Sequence, residues 1–407
     1  MSQPMTQNQD KPQFQVLHIL AALGAGGMTA SFFFIVNFST LHPGDVFISW
    51  DILWRDYIGG TSAHQLIVQL YMLGATISAI VHFVLLNRWF KGFNQFKQTD
   101  AYEKLKNSNA EVQLMAIPLT LAMSMNVFFI LGAMYIPGLF SEITLFGITA
   151  QLIDFMMVAA GIYFTVILVM ALKIFSVYWM RLVDGNLDFI QNSNLAQLIA
   201  IFSFGMIGVS LGALSMSKVP EIALYGMSMA YIVITLTIFL GLIKLIIGFK
   251  SMFEEGIAAQ STVTLLLPVV ITGMIVVGLL RADFGSIHAL DLTRDAHYHL
   301  QVSTIGLGFS LFIALFALSV MRRKKYFKLL DQGKLDSSAF ALICPGFAFE
   351  VQMVMWLNIG LVFTGFVTFG STAYFALWAP MILIQVASIY FFMKLLKQHH
   401  FLKFATA

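Results

Sequence analysis

Three groups of residues carry side chains that could do chemistry. Glu350, in CPGFAFEVQMVMWLNIG, and Asp154, in QLIDFMMVAAG, are carboxyls set inside long apolar runs. A charge at the centre of a bilayer costs at least ~2.5–3.5 kcal/mol on insertion scales, so such a group is rarely idle. Desolvation favours its neutral form, which would suit proton-coupled uptake. The other reading is that Glu350 bonds backbone groups freed by Pro345, or pairs with a neighbour away from any solute path. Both readings stand for Glu350. Asp154 lies closer to water, which favours a structural role. His18 and His82 could reach similar depth on antiparallel segments, a geometry that would permit paired ligation of a haem. Plain interfacial histidines are the simpler account. Asp283, His288, Asp291, Asp295, His297 and His299 crowd one connection. A metal site could be drawn there, but a solvated polar loop is the simpler expectation, since loops are generally polar and lie at the surface.

Other chemistries are disfavoured. The chain has no GxxxxGK loop, which argues against an ATP-driven pump. Cys344 is the only cysteine, which excludes disulfides within the chain and cysteine-based metal sites. No long polar domain could house other catalysis. Neither an enzyme nor a bound cofactor or metal is expected.

The elements that must position these residues follow from composition. Of 407 residues, 59% are hydrophobic and 11% charged. Soluble domains carry roughly 45–50% apolar and about 25% charged residues, so lipid must be the solvent for much of this chain. A helix needs about 20 mostly apolar residues to cross the hydrocarbon core. Ten segments qualify: 16–37, 64–87, 113–136, 148–178, 194–216, 222–247, 261–281, 299–320, 338–368 and 372–396. Barrel strands would alternate over about ten residues, and these runs are continuous and twice as long. The domain plan is a tail over 1–15, a ten-helix membrane domain over 16–398 and a tail over 399–407. The polar start, without a short apolar stretch and small-residue cleavage site, predicts that the first apolar segment stays as an anchor.

Lys and Arg set the orientation. Counting Lys11, the even-numbered connections and the C-terminal tail with Lys403, one side holds 19. The other side holds four, Arg55, Lys218, Arg281 and Arg294. Both termini are therefore expected in the cytoplasm of a bacterial inner membrane. The run RRKKYFK reads as an anchor near anionic lipid and not as a nucleic-acid site. Between the first two segments, Asp45, Asp51 and Asp56 beside Trp50 and Trp54 predict a short amphipathic helix at the outer interface. Asn37-Phe38-Ser39 fits a glycosylation acceptor but lies too close to a helix end to carry weight.

The odd-numbered segments differ from the even ones. They hold LGAGGMTASFFF, IPLTLAMSMN, SFGMIGVSLGALS, LLLPVVITGM and CPGFAFEVQM, rich in Gly, Pro and small polar residues. Most even segments are greasier, as in IVITLTIFLGLIKLII. Pro118, Pro268 and Pro345 would each free backbone groups and kink a helix, and such kinks must face protein or a water-filled cavity. Close helix packing explains small residues equally well in any one helix. The alternation over five hairpins points to an inner ring of five kinked helices shielded by an outer one.

In the residues LGAGGMTASFF and CPGFAF, and in its broken odd segments, the chain resembles the tellurite-resistance/dicarboxylate transporter family. That family includes the plant slow anion channels, and the two motifs are most similar to its TsoY-type branch. The resemblance covers about residues 16–398. It implies an all-α membrane protein of five hairpins in a quasi-fivefold ring around a central anion pore, and a homotrimer. Its cargo would be small inorganic or organic anions, with sulfite, tellurite, nitrate, chloride and C4-dicarboxylates all open. Odd helices would line the pore, with Gly27, Ser124, Ser210, Thr272 and Asn358 as candidates along it. A family phenylalanine on the ninth helix plugs the pore, and Phe349 is the candidate here, with Phe347 and Phe363 as rivals. Glu350, next to that position, departs from what an anion pore wants. A proton-coupled carboxylate or oxyanion carrier is the alternative, and a membrane redox or haem protein a more distant one.

Overall fold

The computed structural model describes residues 14–42, 47–145, 147–185, 193–399 and 401. Lys11, Asp45, Lys403 and most of both tails lie outside the described residues. Ten helices are long and apolar enough to cross a membrane: α1 (Val16–Ser39), α2 (Ala63–Phe96), α3 (Asn109–Tyr135), α4 (Leu152–Val183), α5 (Leu198–Met216), α6 (Pro220–Glu255), α7 (Ala259–Leu290), α8 (Ala296–Arg323), α9 (Ser337–Val362) and α10 (Thr372–Gln398). The chain is an all-α, multi-pass membrane protein.

Hydropathy located all ten helices but missed some of their ends. Residues 148–151 form a strand paired antiparallel with Glu142–Leu145, so α4 begins at Leu152. The strand's Thr and Ile residues suit extended backbone as well as helix. Residues 363–368 lie beyond the end of α9. The polar stretch 281–299 is mostly helical. α7 runs on to Leu290, ends on Asp291 in a left-handed conformation, and α8 starts at Ala296. Hydropathy marks where lipid would end, whereas Arg281, Asp283 and Ser286 are compatible with continued helix.

The two sets of helices are buried very differently. In their most apolar stretches, 61–94% of odd-helix residues are buried inside the protein, against 28–39% for the even helices. The even helices turn Leu70, Ile80, Val166, Phe239, Phe312 and Leu383 outward, a surface that only lipid would solvate. The packing contacts of the odd helices run from α1 to α5 through α3, from α5 to α7, from α7 to α9, and from α9 back to α1. Each even helix packs on the odd helix before it and on the odd helix after it, with α10 reaching α1.

Proline acts here in a way the sequence alone did not convey. α3, α7 and α9 each start with a 3-10 stretch, Asn109–Met115, Ala259–Leu266 and Ser337–Leu342. Pro118, Pro268 and Pro345 sit in the first α-turn after that stretch. An amide at such a junction is easily forgone, so these prolines mark a change of helix type and not a mid-helix kink. Among the described residues, the proline that lies inside a helix beyond its first turn is Pro380, on the even helix α10. Small residues allow close approach, as expected. A Cβ on Gly306 of α8 would lie 2.2 Å from Val276 Cγ2 of α7.

Outside the membrane helices, Trp50–Asp56 forms the expected short helix, with Leu53 buried and Trp54 exposed. Asp51 accepts a hydrogen bond from the Gly138 amide at 2.9 Å, tying this helix to the connection after α3.

Candidate functional site

A cavity of about 360 Å³ is lined by residues from all five odd helices. Leu23, Gly27 and Ala30 come from α1, Met123 and Asn126 from α3, Met206 and Ser210 from α5, Met274 and Val277 from α7, and Phe347, Val351 and Met355 from α9. Phenylalanines dominate the wall, with Phe34, Phe129, Phe164, Phe202 and Phe284 among them. The polar groups are few. Asn126 Nδ2 donates to Ser210 Oγ at 2.7 Å, and that hydroxyl donates to the Met206 carbonyl. Asn37 Oδ1 accepts the Ile48 amide at 2.8 Å, so this asparagine is a fixed part of the wall.

The basic side chains that line the cavity, among the described residues, are Arg281, Arg294 and His42, and no carboxylate joins them. Arg281 Nη1 donates to the Val209 carbonyl at 3.2 Å, and its Cζ lies 5.8 Å from the Phe34 ring centre. Arg294 lies in the link between α7 and α8, with Cζ 4.1 Å from the Phe284 ring centre. Burial pulls the Arg294 guanidinium below its ordinary pKa, and nearby Asp283 opposes that shift. A guanidinium remains charged through such a change. In an apolar enclosure the effective dielectric is far below that of water, so these charges act strongly on any ion that enters.

A second cavity, of about 770 Å³, lies at the beginnings of the odd helices. Gln113, Arg181, Asn194, Gln197, Thr264 and Ser338 give it a polar wall. Leu23, Phe202 and Cys344 line both cavities. All three are buried, as is Phe347 one helical turn beyond Cys344. These residues form an apolar girdle between a polar chamber and one that carries basic side chains and no described carboxylate.

The structure brings only some of the sequence candidates to this wall. Gly27, Ser210 and Phe347 line the cavity. A Cβ on Gly27 would meet Phe347 Cδ2 at 3.7 Å. Phe349 is not among the lining residues and packs at the margin of the core. Phe363 lies beyond the end of α9, 47% exposed, with its ring 6.0 Å from that of His299. Ser124 is buried on α3, where His82 Nε2 meets its hydroxyl at 2.9 Å. Thr272 faces the contact between α7 and α8. Asn358, in a π-helical stretch Trp356–Val362, accepts the Tyr374 hydroxyl at 2.9 Å and so joins α9 to α10.

Glu350 is fully buried but lies away from the cavity. On α9 the lining positions are Cys344, Phe347, Ala348, Val351, Met355 and Ile359. At 3.6 residues per turn, Glu350 points roughly 130° from the middle of that face. Ser31 Oγ of α1 donates to Glu350 Oε2 at 2.7 Å, and Gln385 Nε2 of α10 donates to Ser31 Oγ at 2.8 Å. The partner is thus a side chain on a neighbouring helix, not backbone freed by Pro345. Glu350 Oε1 has no hydrogen-bond partner among the described residues. Asp154 is also buried and tied down. Its carboxylate accepts the Gln151 amide at 3.1 Å and the Ser217 hydroxyl at 2.6 Å.

The histidines are engaged in packing. His82 Nδ1 meets the Ala22 carbonyl at 2.7 Å and Nε2 meets Ser124, so neither ring nitrogen is free for iron. His18 packs its ring on His399 and Phe401. Among the described residues, no three His, Cys, Asp or Glu side chains come together as a metal site. The stretch 281–299 is less solvated than its composition suggests. His299 is buried against Asp283, Nε2 to Oδ2 at 2.7 Å, and His288 Nδ1 meets the Ser217 carbonyl at 2.6 Å.

Sequence reasoning missed Arg281, Arg294, Asn126 and the girdle of Leu23, Phe202 and Cys344. Arg281 was countable only as an outer-side charge. The one signal for it was its position at the end of the apolar run of α7. Comparison of the chain with protein-family models, characterised proteins and solved structures gives no match.

Proposed function

We propose that this chain is an anion channel or transporter of a bacterial inner membrane. Its ten helices would form five hairpins in a quasi-fivefold ring, with the odd helices around a central pore and both termini in the cytoplasm. The observation that carries the anion reading is the cavity wall, which presents Arg281, Arg294 and His42 and no described carboxylate. A cation in that apolar enclosure would meet like charges at low dielectric, whereas an anion would find compensation. The ring is supported by the packing order of the odd helices and by their deeper burial. The pore axis would run from the polar chamber through the girdle of Leu23, Phe202 and Cys344 into the cavity above it. Of the three sequence candidates for a plug, Phe347 is the one on the cavity wall, one helical turn from Cys344 of the girdle, which supports it as the obstructing ring. The resemblance of the motifs in α1 and α9 to the tellurite-resistance/dicarboxylate transporter family points to the same class, and a homotrimer rests on that resemblance alone.

A passive path fits better than a proton-coupled one. Glu350, the residue that suggested coupling, lies off the cavity wall and would not meet a passing anion. Purified protein in liposomes should pass anions and exclude sodium and potassium. Cation flux at or above anion flux would refute the reading.

A further inference from the structure

Arg294 carries a feature that general electrostatic attraction does not require. Its Nε and Nη2 are both buried without a hydrogen-bond partner among the described residues. In a guanidinium these two N–H groups point the same way and form a two-pronged edge, the edge that grips both oxygens of a carboxylate. Arg55 of this same protein uses it on Asp56, with Nε to Oδ1 and Nη2 to Oδ2 both at 2.7 Å. Buried donors without acceptors are costly, and a pair on one edge is costlier still.

The surroundings hold the edge but do not satisfy it. Phe284 and Phe363 flank the guanidinium, with ring centres 4.1 and 5.5 Å from Cζ. The nearby carboxylate, Asp283, is already bonded to His299 Nε2 at 2.7 Å and to Ser286 Oγ at 3.2 Å. Aromatic side walls, a charged fork and no competing acceptor make a site for a small anion with two oxygens in one plane. Phe284 and Arg294 both line the cavity, so the guanidinium borders the path; its Nε and Nη2 are themselves covered, and a turn of the Arg294 side chain or of the Phe284 ring opens the edge to an entering anion.

We propose that the Nε–Nη2 edge of Arg294 is a recognition site for carboxylate-type oxyanions, selecting them over halides as they enter or leave the cavity. This deepens the anion-pathway reading and rests on it. A halide has no pair of separated acceptor atoms and gains charge attraction without the fork. Lysine at this position would keep the charge and lose the fork.

The test compares formate with chloride, at constant ionic strength, on the purified full-length protein. Wild type, Arg294→Lys and Arg294→Gln are each measured by calorimetric binding in detergent and by flux in liposomes. Wild type should bind formate about tenfold more tightly than chloride, the worth of one charge-assisted hydrogen bond. Arg294→Lys should bring that ratio close to one while chloride affinity stays within about twofold, since the charge is kept. Arg294→Gln should weaken both anions. The hydration difference between formate and chloride is common to all three proteins, so a change in ratio reports the fork. An equal ratio in wild type and Arg294→Lys overturns the proposal, as does a wild type that does not discriminate, which needs no variant to fold. Anion flux with an unchanged ratio sinks the site and leaves the pathway standing. A fork-dependent ratio in binding without any anion flux supports the site and sinks the pathway.

Discussion

Ser31 of α1 and Glu350 of α9 meet at 2.7 Å on the side of α9 turned away from the cavity. Gln385 of α10 extends the contact through Ser31, so one buried carboxyl joins three helices. The relationship makes Glu350 a strut beside the path. Glu350→Gln keeps the shape and an acceptor for Ser31. Anion uptake into liposomes, with and without an imposed pH gradient, should match wild type within about twofold, the spread of a substitution outside the path. Loss of a proton-gradient dependence present in wild type would instead make Glu350 a coupling residue.

The girdle makes a sharper prediction. Phe347→Ala should raise anion conductance severalfold, because the ring lines the cavity one helical turn from Cys344 of the girdle. Phe349→Ala should leave conductance unchanged. Phe347 is 2% exposed, so its truncation should also cost about 3–5 kcal/mol of stability. Single-channel recording on protein matched for folded fraction separates the two effects. Equal conductance in both variants would remove Phe347 from the path.

Arg281 should matter for occupancy. Its guanidinium is anchored to the Val209 carbonyl and lines the cavity. Arg281→Gln removes one charge-assisted partner for the anion, an effect on the order of tenfold in flux at low anion concentration. Arg281→Lys should recover part of it. Flux titrated against anion concentration is the measurement, and a wild-type curve from Arg281→Gln would exclude the residue from the pathway.

Asp154 is expected to hold structure only. Its bonds to the Gln151 amide and the Ser217 hydroxyl fix the start of α4 against the segment after α5. Asp154→Ala should lower stability by about 1–3 kcal/mol, since it strands buried donors. Thermal unfolding in detergent should report that loss while the anion selectivity of the surviving protein stays normal.

The orientation can be checked directly. Reporter fusions after residues 100, 182, 252 and 330 should all read cytoplasm, and those after 50, 140, 219 and 290 the outer side. One strong reversal would break the assignment of both termini to the cytoplasm.

Some of this protein was determined by its sequence alone. Ten apolar runs made ten membrane helices, because a bilayer leaves no other way to satisfy the backbone over such lengths. The contrast between odd and even helices was also legible, since glycine and small polar residues are tolerated where helices crowd and greasy ones where lipid is the neighbour. What the sequence could not convey was direction around each helix. Phe347, Phe349 and Glu350 lie within four positions of one another, and a turn of 100° per residue sends only the first to the cavity. Rotation is set by packing against helices distant in sequence, as when Ser31 draws Glu350 aside. The arginines were hidden for a related reason. Arg281 and Arg294 look like ordinary loop charges in one dimension. They become cavity residues only because α7 continues past its apolar run and the link to α8 brings Arg294 to the same wall.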